Sequence, residues 1–210
     1  MLAIGIDIGG MSIKGAAVTD EGKVLDVFSL EVEKGEPQEV TINRLVEVVN
    51  KYLKDHGYNK DNVAGIGCGV PGSIDSTAGV VSFSNNLRWV ELPIVKMLEE
   101  GTGLPVKITN DANAATLGEA RFGAGKLYKD IIMLTLGTGV GGGIVVDGKL
   151  VEGHLGKGAE LGHITLVMDG HPCSCGRVGC LEQYASASAL IRETKIAMEE
   201  HKGSIMWDLA

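Results

Sequence analysis

The sequence predicts an α/β protein. Short Val/Ile-rich runs of strand length alternate with segments whose apolar residues recur at helical spacing. Glycines punctuate the ends of those runs. There are 31 in 210 residues, about twice the usual share, and they sit beside the Val/Ile runs, where they serve turns and close backbone approaches. Apolar residues make up 44% and charged ones 22%, which supports a packed core.

The chain opens with an apolar run, Leu2 to Ile8, stopped by Gly9-Gly10. A second run covers Ile13 to Val18 and, after an Asp20-Glu21-Gly22-Lys23 turn, a third covers Val24 to Val32. Tight connections make these an antiparallel meander. Over residues 38–56 the period changes: Ile42, Leu45, Val46, Val49 and Leu53 form a helical stripe, with Gly57 as its stop. Val63 to Val70 reads as a buried strand closed by Pro71-Gly72, and Val80 to Phe83 as another. Pro93 opens a helix running to about Glu100. Pro105 to Thr109 is a strand, and Asp111 to about Gly123 an alanine-rich helix.

A second strand set starts at Ile131 to Leu136 and continues, after Gly137 to Gly143, with Ile144 to Val146, an Asp147-Gly148 turn, and Leu150-Val151. Strand, glycine turn, strand, Asp-Gly turn, strand repeats the opening of the chain weakly. The expected boundary lies between about 115 and 130, giving domains 1–117 and 118–210. Ile191 to Met198 reads as a late helix.

Charge and composition exclude several classes. The 19 basic against 27 acidic residues leave a net charge of −8, which speaks against a nucleic-acid binder. With 4% aromatic residues, base-stacking platforms are not expected. No run is long enough for a membrane helix, and the start of the chain lacks a basic leader region, so a cytoplasmic protein without membrane partners is the expectation.

Four constellations carry chemistry. In Asp7-Ile8-Gly9-Gly10-Met11-Ser12-Ile13-Lys14, the glycines let backbone N–H groups face an anion. Ser12 adds a hydroxyl and Lys14 a charge, and Asp7 can hold Mg²⁺ directly or through water. A plain Gly-Gly hairpin with a surface lysine is the competing reading. In Leu136 to Gly143, the residues Gly137, Gly139 and Gly142 have dinucleotide-fingerprint spacing, but a strand follows where that fingerprint needs a helix. A phosphate-binding turn using Gly137, Thr138, Gly139 and Gly141 fits better. Two such turns facing each other would hold one polyphosphate.

The third constellation places Asn110 and Asp111 between a strand and a helix, with Asn113 just inside it. Capping is the structural reading. A carboxylate at a strand end can also accept a proton from a hydroxyl nucleophile. The fourth runs from Glu160-Leu161-Gly162-His163 to Cys173-Ser174-Cys175-Gly176-Arg177-Val178-Gly179-Cys180-Leu181-Glu182. One His and three Cys are a plausible structural zinc set, with free thiols as the alternative. Cys68, in an apolar strand, reads as a small core residue.

In this order the four constellations resemble the ROK family (repressors, open reading frames and sugar kinases). The Glu160-x-Gly162-His163 element and the Cys173-x-Cys175-Gly176-x-x-Gly179-Cys180-x-Glu182 element look like its signature. Within the family, bacterial-type glucokinases look most similar. The resemblance implies an actin-like, ribonuclease-H-like ATPase fold with two domains around a cleft. It implies transfer of the ATP γ-phosphoryl to the 6-hydroxyl of a hexose, with glucose first among substrates. Asp111 would be the general base. Asn110 and Asp111 would bind hydroxyls at one end of the sugar, and Glu160, His163 and Glu182 those at the other. Gly72 would lie close to the sugar. The Asp7 and Gly137 turns would bind ATP and Mg²⁺. His163, Cys173, Cys175 and Cys180 would hold a structural Zn²⁺, and a homodimer is the usual assembly.

Two departures stand out. Met11 replaces the Thr usual in this turn, and family members continue past Ala210 through an adenosine-contacting turn and a final helix, so the second domain is expected to be incomplete. A truncated, non-catalytic sugar-binding module is therefore one alternative. A sugar-sensing regulator is another, although its DNA-binding helices would precede the first strand, which here begins at Leu2. A small metal-binding module leaves both glycine turns unexplained.

Overall fold

The computed structural model describes residues 1–33 and 35–209. The chain divides into two compact units, Met1–Ile131 with Ile144–Gly158, and Ile132–Gly143 with Ala159–Ala210. These do not coincide with a division at 117/118. Residues 118–131 stay with the first unit. So does the 144–158 segment, because Gly148 N–H donates to Lys129 O and Asp147 N–H to Asp130 Oδ1, both at 2.8 Å.

The first unit is built on a five-stranded sheet. Its strands are β1 (Leu2–Ile8), β2 (Ser12–Thr19), β3 (Val24–Glu31), β4 (Val63–Val70) and β8 (Val106–Asn110), in the order β3-β2-β1-β4-β8. The meander β1-β2-β3 is antiparallel, and β4 joins β1, and β8 joins β4, in parallel. Parallel pairing needs crossovers. Helix α1 (Gln38–Asp55) lies between β3 and β4, and α2 (Ile94–Thr102) precedes β8. Ile42, Leu45, Val49 and Leu53 of α1 are buried as their spacing requires, in one core with Ile4, Ile6, Ile66 and Ile108 of the sheet.

Two polar tethers fix α1. The β2–β3 ladder is interrupted between Ala16 and Val18. Ala17 N–H instead donates to Tyr52 Oη at 3.0 Å, and that hydroxyl donates to Asp26 O at 2.6 Å. At the other end, Gln38 exchanges two hydrogen bonds with the backbone of Val90, at 3.0 and 3.1 Å. Val90 belongs to a small antiparallel sheet of β5 (Ser73–Asp75), β6 (Val80–Ser84) and β7 (Trp89–Leu92). The sequence reading anticipated only β6 of these three.

Helix α3 (Asp111–Arg121) starts directly from β8 and packs on β4 and β8. A further three-stranded sheet has the order β11-β10-β9, with β9 at Ile131–Leu136, β10 at Val140–Val146 and β11 at Lys149–Leu150. This order repeats β3-β2-β1 and accounts for the internal similarity of the sequence. The glycine turn is shorter than expected. Only residues 137–139 turn, and Gly141, Gly142 and Gly143 lie inside β10, the last two buried. Leu161 packs where a side chain at Gly142 would stand.

In the second unit, α4 (Glu182–Ala185) leads into α5 (Ala187–Glu200), and α6 (Met206–Leu209) follows. Ser186 caps α5 by accepting from Ala189 N–H at 3.0 Å. Few apolar side chains are buried here. Ile132, Leu134 and Leu136 of β9 and Leu190, Ile191 and Ile196 of α5 are all exposed. No described helix is long and apolar enough to cross a membrane.

Candidate functional site

The first unit holds a cavity of about 990 Å³ lined from all five strands of its sheet and from α3. Asp7, Lys14, Gly69, Thr109 and Asp111 line it. Asp7 and Lys14 face each other as cross-strand partners on β1 and β2, and Gly69 of β4 pairs with Asp7 from the other side. The turn between β1 and β2 is closed by Gly9 N–H donating to Ser12 O at 3.0 Å. Desolvation and the negative charge of Asp111 raise the Asp7 pKa above the usual carboxylate value, against the opposing pull of Lys14. Asp7 and Lys14, which flank the first glycine turn, and the catalytic candidate Asp111 thus belong to one electrostatic site.

Asn110 is the N-cap of α3. Its Oδ1 accepts from Ala112 N–H at 2.9 Å and Asn113 N–H at 3.3 Å, while its Nδ2 donates to Gly72 O at 3.3 Å. Capping and proximity to Gly72 are thus combined in one side chain. Asp111 is the first residue of the helix, exposed toward the cavity, and accepts from Ala112 N–H at 2.9 Å. Two carboxylates in one cavity, one of them destabilised by the other's charge, are a donor set that suits Mg²⁺.

The cavity includes a residue that the sequence reading passed over. Glu152, just after β11, accepts from Thr109 Oγ1 at 3.4 Å and from Ser76 Oγ at 3.5 Å. Its partners are distant in sequence, and a single Glu after a short strand carries no signal. Asn113, the third capping candidate, lies inside α3 and is not its cap. It is buried, and its Oδ1 has no hydrogen-bond partner among the described residues.

The second unit carries the other candidates. Short backbone pairings create the cluster. Leu166 N–H donates to Gly179 O at 2.7 Å and Leu181 N–H to Ile164 O at 2.9 Å, which lays the segment after His163 beside Cys180. Gly176 N–H donates to Cys173 O at 3.0 Å and Cys173 N–H to Arg177 O at 2.8 Å, closing the turn that carries Cys173 and Cys175. Ligand atoms of His163, Cys173, Cys175 and Cys180 all lie within 4.8 Å of one another. Cys175 Sγ is 3.6 Å from Cys180 Sγ, and Cys173 Sγ is 3.5 Å from His163 Nδ1.

Tetrahedral Zn²⁺, with Zn–S of about 2.3 Å and Zn–N of about 2.0 Å, requires S···S near ~3.8 Å and S···N near ~3.5 Å. The donor set therefore fits zinc, with Nδ1 as the histidine ligand and Nε2 left for another partner. The Arg177 backbone N–H, with help from its guanidinium, holds the Cys175 thiol down to about 6, and burial pushes Cys180 up to about 11. Cys68 lies apart in the first core, its thiol raised to about 12 by burial.

Glu160 is exposed beside the short 3-10 turn Leu161–His163, and its carbonyl accepts from His163 N–H at 3.0 Å. Glu182 lies at the far end of the cluster, with Oε1 3.9 Å from Cys173 Sγ. Its Oε2 accepts from Val140 N–H at 3.1 Å, beside the turn of Gly137, Thr138 and Gly139. Glu160, His163, the three cysteines and Glu182 are thus gathered around one loop system.

Comparison with known proteins decides the family: the ROK family profile matches residues 3–210. The chain belongs to the ROK family. It is 40% identical over 202 residues to a glucokinase of Halalkalibacterium halodurans, covering 96% of this chain and 61% of that protein. It is 37% identical over 192 residues to a xylose repressor of Caldicellulosiruptor bescii, covering 91% of this chain and 48% of that one. Among solved structures, a ROK family glucokinase from Streptomyces griseus in complex with glucose and AMPPNP superposes with a TM-score of 0.82 at 39% identity, over 98% of this chain and 64% of that one. The ROK sugar-kinase fold expected from the signature is therefore the fold observed. The chain spans about three-fifths of the length of these glucokinases, and the ROK relatives include both kinases and repressors.

Proposed function

We propose that this ROK protein phosphorylates the 6-hydroxyl of a hexose with ATP, with glucose as the leading substrate and glucose 6-phosphate as product. The observation that carries the reading is the shared cavity of Asp111 with Asp7 and Lys14, the two residues that flank the first glycine turn. A carboxylate base and a turn suited to phosphate are what in-line phosphoryl transfer asks of a protein.

In this reading Asp111 accepts the proton of the sugar hydroxyl as its oxygen attacks the γ-phosphorus and the bond to ADP breaks. Asn110, already holding Gly72 O, orients sugar hydroxyls together with Asp111. In the second unit Glu160, His163 through Nε2, and Glu182 through Oε1 take up further hydroxyls. Gly9, Gly10, Ser12 and Lys14 in one turn, and Gly137, Thr138, Gly139 and Gly141 in the other, face the phosphates of ATP. Asp7 holds Mg²⁺ directly or through water, and the ion supplies neutralisation of phosphate charge. Zinc in the Cys₃His set has a structural part: it fixes the loop that carries His163 and leaves the reaction to other groups. The reading carries a cytoplasmic homodimer acting on a free hexose in carbohydrate metabolism.

A second reading is sugar binding without transfer, favoured by the xylose repressor among the relatives. A coupled ADP-release assay on the 210-residue chain with Mg·ATP and a panel of hexoses and N-acetylhexosamines separates the two. Sugar-dependent ADP release, highest with glucose, supports the kinase. Sugar binding by calorimetry with no ADP release contradicts it and supports the second reading.

A further inference from the structure

The segment after Cys180 grips the second glycine turn at three points. Glu182 Oε2 accepts from Val140 N–H at 3.1 Å, Ala187 N–H donates to Gly137 O at 2.9 Å, and Ser188 Oγ donates to Thr138 O at 2.8 Å. Only the first of these contacts also reaches the cysteine cluster, since the other oxygen of the same carboxylate lies 3.9 Å from Cys173 Sγ. The reach depends on Gly139, where a Cβ would stand 2.3 Å from Oε2. Cys180, fully buried, is two residues before Glu182.

We propose that Glu182 is a positioning residue that couples metal occupancy of the Cys₃His cluster to the order of the glycine turn Gly137–Val140. A metal that fixes Cys173 and Cys180 fixes the sulfur beside Glu182 Oε1 and the chain two residues before Glu182. The carboxylate then holds Val140 N–H through a charge-assisted bond, the stronger class of hydrogen bond. Loss of the metal frees the cysteines, and the turn loses one of its three anchors. The consequence for nucleotide binding rests on the kinase reading above. The coupling itself does not.

Hydrogen exchange at the Val140 amide tests this in the 210-residue chain, zinc-loaded and chelated, for the parent, Glu182→Ala and Glu182→Gln. Chelation is expected to accelerate Val140 exchange at least about tenfold in the parent. Glu182→Ala accelerates it similarly in the zinc-loaded protein, with zinc content unchanged by metal analysis, and chelation then adds little. Glu182→Gln keeps an acceptor oxygen and retains most of the protection. Equal acceleration by chelation in the parent and in Glu182→Ala overturns the coupling, as does Val140 exchange that ignores both. ATP affinity by calorimetry is read in parallel. Coupling without ATP binding sinks the kinase reading alone, and ATP binding without coupling sinks this inference alone.

Discussion

The side chain of Asn110 joins two elements that the chain brings together from far apart: its Nδ2 donates to Gly72 O at 3.3 Å, while its Oδ1 caps α3. The residue before the proposed base is thereby held from both sides. Replacing Asn110 with Ala removes all three bonds and is expected to cost at least about 1 kcal/mol of stability, the usual value of an N-cap. Asn110→Asp keeps an acceptor for the cap but sets a carboxylate oxygen against Gly72 O in place of the donor. Thermal unfolding of the two variants should place Asp between Ala and the parent.

Gly72 tolerates no side chain. Its φ is +116°, and a Cβ would lie 2.3 Å from Phe83 O and 2.9 Å from Ser84 Cα. Both neighbours are backbone atoms and can yield only by moving β6. Gly72→Ala is expected to destabilise by at least about 2 kcal/mol, through strain and overpacking together. A denaturant midpoint equal to that of the parent would contradict this.

Ala159 offers the opposite case. It holds φ +58° immediately before Glu160. A left-handed L-residue costs about 1–2 kcal/mol, and glycine loses about 0.5–1 kcal/mol more chain entropy on folding. Ala159→Gly should therefore stabilise by about 0.5–1 kcal/mol, visible as a higher Tm.

Asp7 supplies a pH prediction. Its folded pKa is raised above 3.8 by desolvation and by Asp111. Protonation therefore favours the folded state, and the cost of the ionised group grows as pH rises through the folded pKa. Asp7→Asn should be more stable than the parent at pH 7, and the gap should close as pH falls toward 3.8. A gap that does not change with pH would show that the charge on Asp7 is not its source.

Much of this arrangement was legible in the residues. The stripe on α1 and the runs of β1 and β4 declare themselves because burial demands apolar residues there, and β9 by its apolar run alone. The cysteine cluster is legible because metal ligation admits few residue types and three of its four members fall within eight positions. Other parts were not. Ser73–Asp75 and Trp89–Leu92 are too short to show a period, and their strand pairing depends on long-range partners. Glu152 meets Thr109 and Ser76 only after the sheet has formed. The glycines of β10 read as turn because a residue without a side chain shows no burial pattern, and Leu161 supplies the cover from elsewhere. The return of residues 144–158 to the first unit depends on contacts with Lys129 and Asp130 that no local pattern announces.

The central claim is that Asp111 is the base of a sugar kinase. Its most direct test is the kcat of sugar-dependent ADP release in Asp111→Asn, with sugar affinity measured alongside. The variant keeps the size of the side chain and an oxygen able to accept from Ala112 N–H, and it removes the proton acceptor. The account predicts a loss of at least about a hundredfold in kcat with sugar still bound. Turnover within a few fold of the parent would contradict it.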